Sequence, residues 1–197
     1  VFIVMAVYFI GFNVYFPYIT IYLVNYLHMS NTDAGLLQGL GLLAAALLTI
    51  PAARLIDRGR TPLVILAAVA ANTAGLMVVG ATGNFYILLA GVFGAGAGYI
   101  LTLQSLLAWI KNLYPEGQRG QFEGVKQIFF VLVPMIIGPA IGTLVINSFG
   151  VEMDVNGKMG MVPTPLLFWV SAVLTLFTLL PLAAAGKRMA RRLAAKA

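Results

Sequence analysis

The sequence contains no cysteine and a single histidine, His28. The first absence excludes thiolate zinc sites, thiol redox chemistry and a disulfide-stapled secreted domain; the second excludes a paired-histidine metal site. Charge is scarce as well. Asp, Glu, Lys and Arg make up 9% of 197 residues, where a soluble domain carries about a quarter, so a water-soluble globular protein is ruled out. Glycine occurs 21 times without a three-residue period, which excludes a collagen-like chain, and the high apolar content excludes disorder. Gly-rich phosphate loops, nucleophile elbows and paired-histidine zinc motifs are missing. An ATP-driven pump or a membrane hydrolase therefore has no residue-level support, and nothing in the chain calls for a cofactor or a metal.

What is present is apolar. Residues of that type form 61% of the chain, enough for six spans of roughly 20 residues each. They fall in stretches at about 1–27, 34–53, 62–81, 84–110, 122–148 and 164–185, each able to cross roughly 30 Å of hydrocarbon at 1.5 Å per residue. The pattern predicts an all-α membrane protein. Residues 1–185 are expected to form one bundle of six transmembrane helices, followed by a basic tail at 186–197. Ser30-Asn31-Thr32-Asp33 reads as a capping cluster before the second helix, residues 80–84 as a short turn, and Pro115-Glu116-Gly117 as the break before the fifth. None of these gaps has room for a soluble domain. Val1 opens directly into an apolar run without the basic start of a secretory signal, so the chain is expected to be truncated at its front.

The basic residues set an orientation, because cytoplasmic loops retain Lys and Arg. Arg54, Arg58 and Arg60 follow the second helix, Lys111, Arg119 and Lys126 surround the connection of the fourth to the fifth, and Lys187, Arg188, Arg191, Arg192 and Lys196 follow the sixth. In a six-span chain these share one side, leaving Lys158 with Glu152 and Asp154 on the other. Both ends are therefore expected in the cytoplasm, and the membrane is expected to be the plasma (inner) membrane. Topology accounts for the positive charge, so a nucleic-acid partner is not expected; the partner of the chain's surface is the lipid bilayer.

The most informative segment is the turn PAARLIDRGRTP at 51–62, with one acid among three bases. Asp57 can accept hydrogen bonds from an arginine or from helix N-terminal amides, Gly59 permits a sharp turn, and Arg60 can reach the carbonyl end of a neighbouring helix. Such a cluster can latch one membrane face; an ordinary cytoplasmic loop obeying the charge rule is the competing reading. A second element is YPEGQRGQFEGVKQ at 114–127, followed by GPAIG at 138–142. Gly138 and Gly142 share one helix face and let a neighbour approach closely, while Pro139 removes a backbone hydrogen bond and permits a bend. The two uses of this segment are a flexing helix and static small-residue packing. Glu123 and Lys126, three apart, are placed for an ion pair.

These segments resemble the major facilitator superfamily. Asp57, Arg58, Gly59 and Arg60 match, in order, the loop signature between the second and third helices of those proteins. Ala53 stands in place of its leading glycine, the residue between Arg58 and Gly59 is missing, and Thr61 replaces its last base. Arg119 and Gly120 sit where such proteins carry a basic-Gly pair entering the fifth helix of a half. The resemblance implies half of a secondary transporter, the C-terminal six-helix bundle, whose partner is a missing N-terminal half and which moves a small polar solute by alternating access. Asp57, Arg58, Gly59, Arg60, Arg119, Gly138, Pro139 and Gly142 would then serve the conformational change. PYITIYL at 17–23 and the YPEG, FEG and GPAIG segments also resemble sugar and glycoside carriers, which would make it a symporter with a coupling ion that the sequence does not name.

Helix one carries Tyr8, Gly11, Tyr15, Tyr18, Tyr22 and Asn25 at steps that gather on one face of a regular helix. Asn13 lies off that stripe near the middle of the span. Tyrosine joins a flat apolar face to a hydroxyl, a combination suited to stacking on a sugar ring. Asn13, Tyr15, Tyr18 and Tyr22 are therefore candidate solute contacts, with Gln104 on helix four as the amide able both to donate and to accept. Tyr22 also fits an interfacial belt, and Gln104 also fits interhelical hydrogen bonding. Gln38, Ser171, Thr175 and Thr178 are weaker candidates, since hydroxyls in such helices commonly bond their own backbone. No ionisable residue falls at the centre of a span, so a coupling site is not expected in this half. The rival reading is a six-helix channel or structural subunit that oligomerises through its glycine faces; an intramembrane enzyme lacks catalytic groups.

Overall fold

The computed structural model describes residues 1–111, 113, 117, 119–155 and 157–194, with side chains as far as residue 186. Among the described residues six helices are long and apolar enough to cross a membrane: α1 (Phe2–Tyr26), α2 (Asn31–Asp57), α3 (Thr61–Ala81), α4 (Phe85–Lys111), α5 (Arg119–Phe149) and α6 (Pro165–Gly186). The six-helix expectation holds, with ends displaced by a few residues. Beyond α6 the helical backbone continues to Ala194. Tyr114, Pro115 and Glu116, on which the predicted break before the fifth helix rests in part, lie outside the described residues.

Local chemistry explains where the helices start and stop. Ser30 Oγ accepts from the Asp33 amide at 3.0 Å and donates to Asp33 Oδ2 at 2.7 Å, a reciprocal cap at the head of α2. Asn84 Oδ1 accepts from the Tyr86 amide at 3.0 Å and begins α4. At the far end of α2, Gly59 is left-handed with φ +75°. Its amide donates to Ile56 at 2.9 Å and the Arg60 amide to Leu55 at 3.1 Å, so the last carbonyls are satisfied by a turn that strongly favours glycine.

Around the bundle the packing order is α2, α4, α3, α6, α1 and α5, with the α3–α4 seam the most extensive. Glycine makes that seam possible. A Cβ on Gly98 would stand 2.5 Å from the Asn72 Cβ, and one on Gly75 would run into the backbone of Gly91, Gly94 and Ala95. α5 closes on α1 in the same way: a Cβ on Gly138 would meet the Asn13 Cβ at 2.5 Å, and one on Gly142 would meet Tyr18 Cε2 at 2.6 Å.

Two departures from regular helix matter for the site. Within α1 the turn Phe16–Tyr18 tightens to a 3₁₀ helix and Tyr22–Tyr26 widens to a π-helix. Tyr15 and Tyr22 still share a face, both packing on Phe168 of α6, whereas Tyr18, inside the 3₁₀ turn, reaches α5. α5 carries a π-turn at Ile128–Leu132, directly ahead of Pro134.

Between α5 and α6 the chain forms a β-hairpin that the helical reading passed over. β1 (Val151–Val155) pairs antiparallel with β2 (Lys158–Val162), Val151 opposite Val162 and Val155 opposite Lys158. Gly157 takes φ +82° in the turn, and its amide donates to Asp154 Oδ1 at 2.7 Å. The sequence signal was the Asn156-Gly157 dipeptide between two strand-length runs, a pattern that favours a tight hairpin.

Candidate functional site

Four of the helices converge on one cavity of about 280 Å³. From α1 it takes Phe12, Tyr15, Phe16 and Ile19, from α2 Gln38 and Leu42, and further residues of α3 and α4 complete the wall, Tyr99 among them. Only Tyr15, Gln38 and Tyr99 of its lining residues carry a polar side-chain atom, and none is Asp, Glu, Lys, Arg or His. Phe12 and Tyr99 stack at 4.2 Å with 16° between their planes, Phe12 and Phe16 at 4.7 Å with 26°. Three rings from two helices thus form one stacked aromatic column. Tyr15 meets Phe12 edge-on at 5.5 Å and is itself buried.

Asn72 stands behind this wall. It is fully buried on α3, its Nδ2 donates to the Ala95 carbonyl at 2.8 Å, and its amide lies beside the Tyr15 hydroxyl. Its Oδ1 has no hydrogen-bond partner among the described residues, nor do the buried polar atoms of Tyr8, Thr102, Gln104, Ser105 and Thr178. Orphaned atoms of this kind cost about 1–3 kcal/mol each in an apolar interior.

Of the five solute contacts expected from the sequence, Tyr15 lines the cavity. Asn13 donates to the Phe9 carbonyl of its own helix at 2.8 Å and packs on Gly138. Tyr18 turns toward α5, donating to the Pro139 carbonyl at 3.1 Å and sharing a 2.8 Å hydrogen bond with Thr143. Tyr22 reaches the Val79 carbonyl of α3 at 3.3 Å and packs on Phe168 of α6. Gln104 lies apart from the cavity with its Oε1 buried and unspent. Thr175 bonds the Ala172 carbonyl of its own helix at 2.8 Å, as hydroxyls in such helices commonly do, whereas Ser171 crosses to the Gly11 carbonyl of α1 at 2.5 Å.

Two contributors were missed. Tyr99 directly follows the glycine run of α4 as the tyrosine in the middle of that helix, and Asn72 is the one amide in the middle of α3. A polar side chain at mid-span needs a partner, and that alone was reason to single out both.

At the other end of α2, Asp57, Arg58 and Arg60 are exposed, and among the described residues Asp57 forms no ion pair. Asp57 and Gly59 border a cleft of about 500 Å³ shared with Trp109 and Lys111 at the end of α4. The turn after α2 and the end of α4 therefore occupy the same end of the bundle. Arg119 is exposed at the start of α5, and Lys126 pairs with Glu123 one turn along, as their spacing predicts. The QRGQFEGVKQ part of the second element is thus a largely exposed helix, apart from Gln118, which lies outside the described residues.

The family model described as Major Facilitator Superfamily matches residues 1–194. No curated protein and no solved structure matches the chain.

Proposed function

The chain belongs to the Major Facilitator Superfamily, and from that premise we propose that it is the C-terminal half of a secondary active transporter, a symporter carrying a small polar solute of sugar or glycoside type by alternating access. Members of that superfamily are membrane transporters, and we read the chain as one of them and not as an enzyme.

The observation that carries the half-protein reading is uneven burial. α2 and α5 are the least enclosed of the six spans, and on them Gly35, Gly39, Gly120 and Gly124 have nothing within 4 Å of where a Cβ would stand. Bare glycine faces let another helix approach closely. A second six-helix bundle is the partner proposed for those faces, with the solute between the two. Rocking of one bundle against the other would expose the solute to each side in turn. The cavity beside Tyr15 lacks charged side chains, so the coupling ion is assigned to the other bundle. Asp57 to Arg60, with Arg119, sit where a conformational latch on the cytoplasmic face is expected, both ends of the segment and the tail at 186–197 lie on that side, and the membrane is the plasma (inner) membrane.

Open glycine faces also suit a homo-oligomeric channel or structural subunit, and one experiment separates the two. The full-length gene product, reconstituted in vesicles, is tested for uptake of labelled sugars and glycosides under proton and under sodium gradients. Saturable, gradient-dependent uptake is the expected result. Flux that does not saturate and ignores both gradients would overturn the carrier reading in favour of a channel.

A further inference from the structure

The walls of the Tyr15 cavity specify its occupant more narrowly than the family does. An apolar cavity of about 150 Å³ holds a benzene ring, so about 280 Å³ has room for one ring and a linking group. One side is an aromatic column: Phe16, Phe12 and Tyr99 stack face to face in sequence, so its flank offers ring edges and its ends offer faces, and Phe16, 51% exposed, is one of those ends. A planar guest meets such a column edge to face along its flank or offset-stacked at its end, contacts that a puckered saturated ring cannot reproduce.

The polar chemistry is as specific. Gln38 Nε2 donates to the Ala34 carbonyl at 3.1 Å and to Thr20 Oγ1 at 3.3 Å. Both amide hydrogens are spent, and what Gln38 still offers is its acceptor oxygen. The absence of Asp, Glu, Lys, Arg and His from the lining excludes a site for a charged group. A pyranose would bring several hydroxyls, each costly to bury without a partner, against three polar side chains in the whole lining.

We propose that this cavity binds a planar aromatic ring carrying one hydrogen-bond donor, that the donor is received by Gln38 Oε1, and that the hydroxyl-rich part of a glycoside stays outside. The inference rests on the transport reading only in making that ring part of the carried solute. Binding itself is independent of it.

The test is equilibrium binding of 4-hydroxyphenyl β-glucoside, phenyl β-glucoside, cyclohexyl β-glucoside and glucose to the full-length protein in lipid nanodiscs, without a gradient. Phenyl glucoside is expected to bind about twofold to tenfold tighter than its cyclohexyl counterpart, the range of one aromatic contact, with glucose weakest. Gln38→Leu should weaken 4-hydroxyphenyl glucoside by about twofold to tenfold, the range of one net hydrogen bond, and leave phenyl glucoside, whose ring carries no donor, unchanged. Gly96→Leu should fill the cavity and abolish binding, while Gly96→Ala should keep it, its Cβ meeting Leu42 Cδ2 at an ordinary 3.6 Å. If Gly96→Leu does not fold, Phe16→Ala removes the half-exposed end of the stack and should cost severalfold in affinity. Glucose binding as tightly as phenyl glucoside would overturn the proposal, as would unchanged affinity for 4-hydroxyphenyl glucoside in both Gln38→Leu and Phe16→Ala. Uptake under a gradient without ring-dependent binding overturns the ring and leaves the transporter; ring-dependent binding without uptake does the reverse.

Discussion

Along the α3–α4 seam Gly75, Gly91 and Gly98 bring two backbones together, whereas Gly35 and Gly39 of α2 and Gly120 and Gly124 of α5 face open space. The residue type is the same and the four-residue step recurs at 35/39, 94/98, 120/124 and 138/142. Spacing licenses close approach; it does not say which faces are used. In this bundle the used faces hold the fold and the unused ones lie on the two least enclosed spans. Stability and conformational change are thus assigned to different glycine faces, α2 and α5 carrying one of each, and substitutions can separate them.

The largest effect is expected in the closed seam. Gly98→Leu forces a side chain into the α3 backbone at Ala68 and Asn72 and should cost about 3 kcal/mol or more, seen as loss of a monodisperse, cooperatively melting protein. A variant as stable as the wild type would break the comparison at its firmer end. Next is Asp57→Asn, on the exposed turn. Uptake should fall about tenfold with solute affinity and melting temperature unchanged, because the residue is assigned to the balance between conformers and not to the solute. Equal losses of binding and uptake would return that turn to the binding machinery.

Within α1 the comparison can be sharpened further. Tyr15→Ala opens the wall of the cavity and should weaken solute binding by about tenfold, about the upper end for one aromatic contact. Asn13→Ala, whose amide is spent on Phe9, should leave affinity unchanged. A reversed ranking in a binding titration would move the site toward α5. Tyr18→Phe removes both hydrogen bonds to α5 and should lower stability by about 1 kcal/mol, near the upper part of the range for such bonds in membranes. Smallest of all is Gly35→Ala: nothing within 4 Å in this bundle opposes it, so the bundle should melt unchanged or slightly higher, and a lowered melting temperature of the full-length protein would place the partner bundle against Gly35.

Much of the architecture is legible residue by residue. Spans announce themselves because hydrocarbon demands unbroken apolar runs, and Ser30, Asp33 and Gly59 mark helix ends because capping chemistry is local. The cavity is harder. Tyr15, Gln38 and Tyr99 lie on three helices, and no periodicity within one helix brings them together. The tyrosine stripe of α1 divides for a different reason: Tyr15 and Tyr22 keep a common face against Phe168, while Tyr18, inside the 3₁₀ turn at Pro17, reaches α5 and Tyr22 spends its hydroxyl on the Val79 carbonyl of α3. The hairpin at 151–162 was legible in Asn156-Gly157 and was passed over in favour of the stronger helical signal.

By itself the sequence determined that this protein lives in a bilayer, how many times it crosses and where its turns fall, since those depend on transfer of side chains to lipid and on caps within a few residues. Which glycines close a seam, which tyrosine meets a cavity and which Gln38 atom is left to accept were decided by the tertiary structure alone. They depend on the relative rotation of packed helices, and a helix in isolation has no means of setting it.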